Sequence, residues 1–304
     1  GEQRDYFLDE PRAGYYPLVE GQQFNLFGVH QGNLPVNWLN PSDKGAGGFL
    51  RDKQRGRILD AIAEHLESKG KLKGGKQSAA LAWVRSITRK KGIPDEWVHL
   101  DWDGYRIAWR DVARNDDRRT LIAAILPPKV GVSHTAPFVR PFQMQVKGES
   151  IVWSLQYPHE QLLYLAGVLS SFCCDAIARS RVSKMHLQSQ IFQSLHVPPW
   201  TGSPEQRRVA ELTARLTCLP ATPERPWADY TELAAAVGLK PKRDGLTDPA
   251  QRREAEVELN ALMAQLYGLG RKEFQFLMDL LFMTPGHRET HALLRNDISE
   301  RLKE

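Results

Sequence analysis

Twelve lysines and arginines crowd into residues 51–91, against four acids, Asp52, Asp60, Glu64 and Glu67. That stretch carries a formal +8, whereas the whole 304-residue chain carries +5, so the remainder is net −3. A surface of this kind neutralises phosphates and releases their counterions; a solvated, charged insertion is the other reading of it. Within it, Lys69, Lys71, Lys73 and Lys76 sit in a Gly-flexible run. A second cationic group, Arg106, Arg110, Arg114, Arg118 and Arg119, surrounds a strand and its turn. Guanidinium forks suit phosphate oxygens and guanine edges. Asp111, Asp116 and Asp117 stand nearby as internal partners.

Catalytic patterns are weaker. Gly45-Ala-Gly47-Gly48 is the nearest approach to a nucleotide-binding turn, but nothing strand-like precedes it, and a surface loop accounts for it. Methylation of a base amine needs Asn or Asp before Pro-Pro and an aromatic residue. Here Pro127-Pro128 follows Leu126 and Pro198-Pro199 follows Val197, while Asn40-Pro41 lacks the second proline. Asp95, Glu96, Asp101 and Asp103 are close enough for a metal-dependent nuclease, yet no lysine follows at strand spacing and acidic turns explain them equally. His287 and His291 sit four apart, but Glu289 is one position off the zinc-protease arrangement. Cys173, Cys174 and Cys218 form no C-x-x-C pair, which argues against a disulfide framework or thiolate zinc and for a reducing, cytoplasmic setting. Residues 1–16 are polar and charged, unlike a signal peptide. The longest apolar stretch, Leu162–Cys174, falls short of the ~20 residues a bilayer requires and reads as a buried helix rather than a membrane span.

These groups need a scaffold. Apolar residues make up 41% of the chain and eight are Trp, so a packed core is expected rather than disorder. Residues 1–50 are rich in Gly, Pro and Asn and read as a linker and entry segment. Ile58, Leu59, Ile62 and Leu66 fall at helical spacing, and a second helix is expected over 78–90; together they make 51–93 a basic helical insertion. Over 94–200 short alternating runs (97–100, 105–112, 120–126, 142–146, 150–155) predict a β-rich core closed by a helix through Leu162, Leu165, Leu169 and Phe172. Residues 201–304 read as a helical C-terminal region. Ser203-Pro-Glu-Gln206 and Asp248-Pro-Ala-Gln251 are helix starts, and Gly268 and Gly270 supply a stop. The fold class is α+β.

Four blocks in order give this scaffold a family likeness. They are Pro17-Leu-Val-Glu-Gly21 with Phe24 and Phe27, then Arg106-Ile-Ala-Trp-Arg-Asp-Val-Ala-Arg114 with Arg119-Thr-Leu-Ile-Ala-Ala-Ile-Leu-Pro127. Next come Leu165-Ala-Gly-Val-Leu-Ser-Ser-Phe172 through Asp175, Arg179 and His186-Leu187 to Leu195-His-Val-Pro-Pro199. The last is Glu256-Val-Glu-Leu-Asn-Ala-Leu-Met-Ala-Gln-Leu-Tyr-Gly-Leu269. The chain resembles the C-terminal target-recognition region of adenine-N6 DNA methyltransferases. The branch it resembles comprises the TaqI-like and type IIG restriction–modification proteins and the PglX-like and DISARM-type phage-defence methylases. One departure is Ser183-Lys-Met-His-Leu-Gln188, where the family often has G-G-T-H-L-N.

The resemblance implies double-stranded DNA as partner, together with an upstream methyltransferase domain or other defence-system subunits. It implies S-adenosylmethionine as cofactor of a parent enzyme, with no catalytic or cofactor-binding residues in this chain. The expected DNA-binding residues are Lys69, Lys71, Lys73, Lys76, Arg106, Arg114, Arg118, Arg119, Lys184 and His186. Two alternatives remain: an interaction scaffold whose helical 201–304 region docks a defence-complex partner, and a nuclease using Asp101 and Asp103.

Overall fold

A computed structural model describes residues 6–29, 33–114, 116–182, 185–282 and 288–303. In chain order the elements open with β1 (Phe7–Leu8), β2 (Tyr16–Val19), β3 (Asn37–Leu39), α1 (Ala46–Ser68) and α2 (Lys76–Thr88). Strands β4 (Arg106–Trp109), β5 (Ala123–Leu126), β6 (Gly131–Val132), β7 (Phe142–Lys147) and β8 (Ser150–Leu155) follow. The helices then run α3 (His159–Ser170), α4 (Phe172–Arg181), α5 (Ser189–Gln193), α6 (Pro204–Thr217), α7 (Thr231–Ala235) and α8 (Pro241–Asp244). Helices α9 (Pro249–Leu266), α10 (Arg271–Phe282) and α11 (Arg288–Glu300) complete the chain. The fold is α+β, with 48% helix and 13% strand, so helix outweighs strand more than the middle of the sequence foretells.

Two compact units form, and both are discontinuous in sequence. The first takes residues 1–18, 36–104 and 140–156. Here β1 and β2 both pair antiparallel with β3, matching Phe7 and Tyr16 to Leu39 from either side. Tyr16 meets Trp102 edge-on, with ring centroids 5.2 Å apart. Residues 1–50 are therefore partly a sheet with its own small core, not only a linker. The apolar stripe Ile58, Ile62 and Leu66 of α1 packs with Ala80 and Val84 of α2 and with Ile151 from the β7–β8 hairpin. An amphipathic helix pair cannot shield its own stripe. The hairpin covers it with Met144, Val146, Ile151 and Trp153, the alternate residues of one face. Residues 51–93 thus belong to a shared core instead of forming a separate insertion, and the expected single β-rich core over 94–200 divides, because β7–β8 is held by the helices. Residues 97–100 do not form a strand; Trp97 ends a 3-10 turn that begins at Asp95, and a second such turn, Asp101–Asp103, follows them.

The second unit takes residues 19–35, 105–139 and 157–304. Strands β4 and β5 pair antiparallel with Ile107 opposite Ile125, and every residue in both is buried. Their core continues into α3, α6 and α9 through Leu163, Val209 and Leu259. Helices α3 and α6 approach closely at Gly167, where an added Cβ would lie 2.4 Å from Thr213 Oγ1 and 2.7 Å from Val209 Cγ1. Leu162–Cys174 is not one helix: it breaks at Ser171, which caps α4 by accepting from Cys174 N, and α3 and α4 bend by 62°. Among the described residues no single helix is long and apolar enough to cross a membrane. Ser203 and Asp248 cap α6 and α9 through Gln206 N and Gln251 N, as the sequence predicts. The proline-rich 219–227 stretch is pinned just beyond its end by Tyr230, whose hydroxyl donates to the Ile125 carbonyl at 2.9 Å.

Candidate nucleic-acid interface

In the first unit the cationic feature is the turn between α1 and α2. Gly70 and Gly74 take positive φ, of 64° and 79°, and reverse the chain there. Lys69, Lys71 and Lys73 are exposed. Lys76 differs: its ammonium donates to Glu67 Oε2 at 2.8 Å, and that bond raises its pKa. Other cations of the stretch are engaged as well. Arg51 meets Asp43, Arg55 meets Asp52 and Asp95, Arg57 meets Asp101, and Lys90 meets Glu96. Among the described residues, Lys53, Lys69, Lys71, Lys73, Arg85, Arg89 and Lys91 have no carboxylate partner. Three of these cluster at the α1–α2 turn. Exposed ammonium groups on a short turn carry full charge into solvent at little desolvation cost, which suits contact with a polyanion.

The second unit places its cations on the segment after β4. Backbone pairing seats a neighbouring loop against it: Leu187 N donates to the Asp111 carbonyl at 2.7 Å and Ala113 N to the Met185 carbonyl at 3.1 Å. Trp109 locks the pair, stacking on Phe192 at 3.8 Å between centroids and donating its indole N–H to the Leu187 carbonyl. His186 is thereby held in the open, with Nδ1 2.8 Å from Asp111 Oδ2. Arg114 is exposed and paired with Asp116 at 3.0 Å, and Arg118 is exposed with no carboxylate partner among the described residues. Lys184 lies outside the described residues.

Two of the expected DNA-binding arginines are interior. Arg106 is 2% exposed; its guanidinium donates to the Val130 carbonyl and lies 5.3 Å from the Phe138 ring centroid. Its position in β4, all of whose residues are buried, sends the side chain into the core. Arg119 donates to the Ser170 carbonyl, covers the Phe172 ring, and pairs at 3.3 Å with fully buried Asp175. Asp175 Oδ1 also accepts from Thr120 N and Leu121 N, and Arg179 lies on its other oxygen. Burial raises the Asp175 carboxyl and lowers Arg119. Both arginines hold the hairpin in place: Arg106 lies in the core, and Arg119, although it lines a cleft, is committed to the buried Asp175.

The remaining chemistry of the sequence is also absorbed by structure. Gly45, Gly47 and Gly48 open α1, and their N–H groups donate to the Ser42 and Asn40 carbonyls. A Cβ on Gly47 would lie 1.9 Å from the Pro41 oxygen, so close backbone approach explains these glycines. With those donors occupied, the turn offers no phosphate cradle. Asp95, Glu96 and Asp101 each pair with a cation, and Asp103 accepts from Leu100 N. Among the described residues no three His, Cys, Asp or Glu side chains come together as metal ligands. His291 is buried edge-on to Phe172, and His287 lies outside the described residues. Burial pushes the Cys173 and Cys174 thiols up to about 12, far from thiolate reactivity.

Sequence reasoning missed the cleft in the second unit that Arg118 shares with Glu256 and Asn260. Its walls come from segments more than a hundred residues apart, so no local spacing announces it. Compared with known proteins, the chain matches no family model and no curated protein.

Proposed function

We propose that this chain is a double-stranded DNA target-recognition module acting with an S-adenosylmethionine-dependent adenine-N6 methyltransferase domain in a restriction–modification or phage-defence system. The observation that carries the reading is the cluster on the α1–α2 turn of Lys69, Lys71 and Lys73, which have no carboxylate partner among the described residues. These lysines supply phosphate contacts, which position the module without reading sequence. Arg114, Arg118 and His186 are exposed groups of the second unit offered to the duplex. A mobility-shift titration against salt tests the reading. Binding to duplex DNA at low salt, weakening log-linearly as salt rises, is expected; absent or salt-indifferent binding overturns it.

A protein-docking scaffold is the second reading, favoured by Phe276, Leu280 and Leu293, which are 68%, 66% and 58% exposed on α10 and α11. Substituting Lys69, Lys71 and Lys73 together separates the two. Unchanged DNA affinity in that variant supports the scaffold.

A further inference from the structure

In the second unit two clefts meet at a single acidic side chain. One, of about 610 Å³, is lined in part by Arg110, Arg118, Ile122, Phe172, Glu256 and Leu294. The other, of about 360 Å³, shares Arg118, Glu256 and Leu294 with it. The first lies within the ~300–1,000 Å³ typical of small-ligand sites.

Glu256 projects from α9 between buried Ala255 and Val257. Among the described residues its carboxylate accepts no hydrogen bond and joins no ion pair, although its backbone carbonyl accepts from Asn260 Nδ2. Three of the surrounding cations are committed elsewhere. Arg252 donates to the Leu216 and Leu246 carbonyls, Arg253 pairs with Asp297 at 2.5 Å, and Arg119 pairs with Asp175. Burial raises the Glu256 carboxyl against the opposing pull of Arg252, Arg119, Arg118 and Arg253. A half-buried acceptor without a donor is costly, and a ligand that supplies the donors offsets that cost.

An ionised carboxylate only accepts, through two oxygens side by side. Its best planar partner presents two adjacent N–H groups, as the N1–H and N2–H edge of guanine does. Adenine offers one donor beside an acceptor, which a carboxylate repels. Ile122 and Leu294 give the body of a base an apolar wall, and Arg118, with no carboxylate partner among the described residues, faces the same cleft. We propose that this cleft binds a guanine nucleotide, with the base edge on Glu256 and the phosphate on Arg118. The inference concerns the second unit and does not depend on the lysine turn of the first. The nucleotide is either free or an unpaired guanine within a strand, since both present the same groups.

Titration calorimetry of the full chain with 5′-GMP and 5′-AMP, and binding to duplexes carrying one bulged guanine or one bulged adenine, tests it. Guanine is expected to bind about tenfold or more tightly than adenine in at least one arm, and the responding arm identifies the source. Glu256→Gln abolishes that preference. Because it removes a charge with no partner among the described residues while keeping shape, this variant is expected to stay folded, as circular dichroism reports. Arg118→Ala weakens the guanine nucleotide about tenfold and leaves the nucleoside guanosine unaffected. Equal guanine and adenine binding, no binding in either arm, or a preference that survives Glu256→Gln overturns the proposal. The variant at Lys69, Lys71 and Lys73 retains the guanine preference whatever happens to its duplex affinity, so failure of the DNA reading is distinguishable.

Discussion

A guanidinium in the core and an ammonium on a turn look alike in a sequence and differ by several kcal/mol in consequence. Arg119 faces an Asp175 that is wholly buried. Among the described residues, Arg119→Ala leaves that carboxylate with Arg179 and two backbone donors, and a loss of about 3–5 kcal/mol in urea unfolding is expected. Lys73→Ala, at an exposed site with no ion pair among the described residues, is expected to change stability by less than about 0.5 kcal/mol. Glu256 adds a pH signature. Its folded pKa is raised from 4.5, chiefly by burial. In the window above 4.5 the folded state therefore binds the proton more tightly than the unfolded chain, and stability falls as pH rises through it. Stability profiles of wild type and Glu256→Gln should diverge in that window, with the variant lacking the decline.

At the scale of elements, helix starts carry much of the local definition. Ser203 accepts from Gln206 N, while Gln206 Oε1 takes the N–H groups of Thr201 and Gly202 and its amide donates to the Pro199 carbonyl. Ser203→Ala is expected to cost about 1 kcal/mol by thermal or urea unfolding. Gln206→Ala costs more, because it strands several part-buried backbone groups at once. Both caps were legible because their spacing is local. The α1 start was not: Gly47 reads as loop composition, whereas its role is to let the Pro41 carbonyl approach. Gly47→Ala is expected to disrupt the first turn of α1, read as lost helicity and lower stability.

For the whole molecule, the testable quantity is charge delivered to solvent. Replacing Lys69, Lys71 and Lys73 with Gln removes three cations that have no carboxylate partner among the described residues. If each meets a phosphate, the slope of log affinity against log salt falls in magnitude by about 0.9 per contact, about 2.7 in all. Lys76→Gln is expected to do less, since Glu67 already holds that ammonium. An unaltered slope in the triple variant would remove the lysine turn from any DNA interface.

The sequence by itself determined the α+β class, the amphipathic stripe of α1, the strand character of β4, β5, β7 and β8, and the capped starts of α6 and α9. Each is written in periodicity or in a cap a few residues wide. It also located the excess charge, because charge is counted residue by residue. Only the tertiary structure decided which cations are available. Arg106 and Arg119 share a cationic run with Arg114 and Arg118, yet the first two are committed to buried partners and the others are exposed. Strand pairing and the distant Asp175 made that division, and neither is visible in local spacing. The same holds for the units, because the β7–β8 face is covered by a helix pair more than fifty residues earlier. The cleft around Glu256 likewise exists only once segments from Asn25 to Leu294 have been brought together.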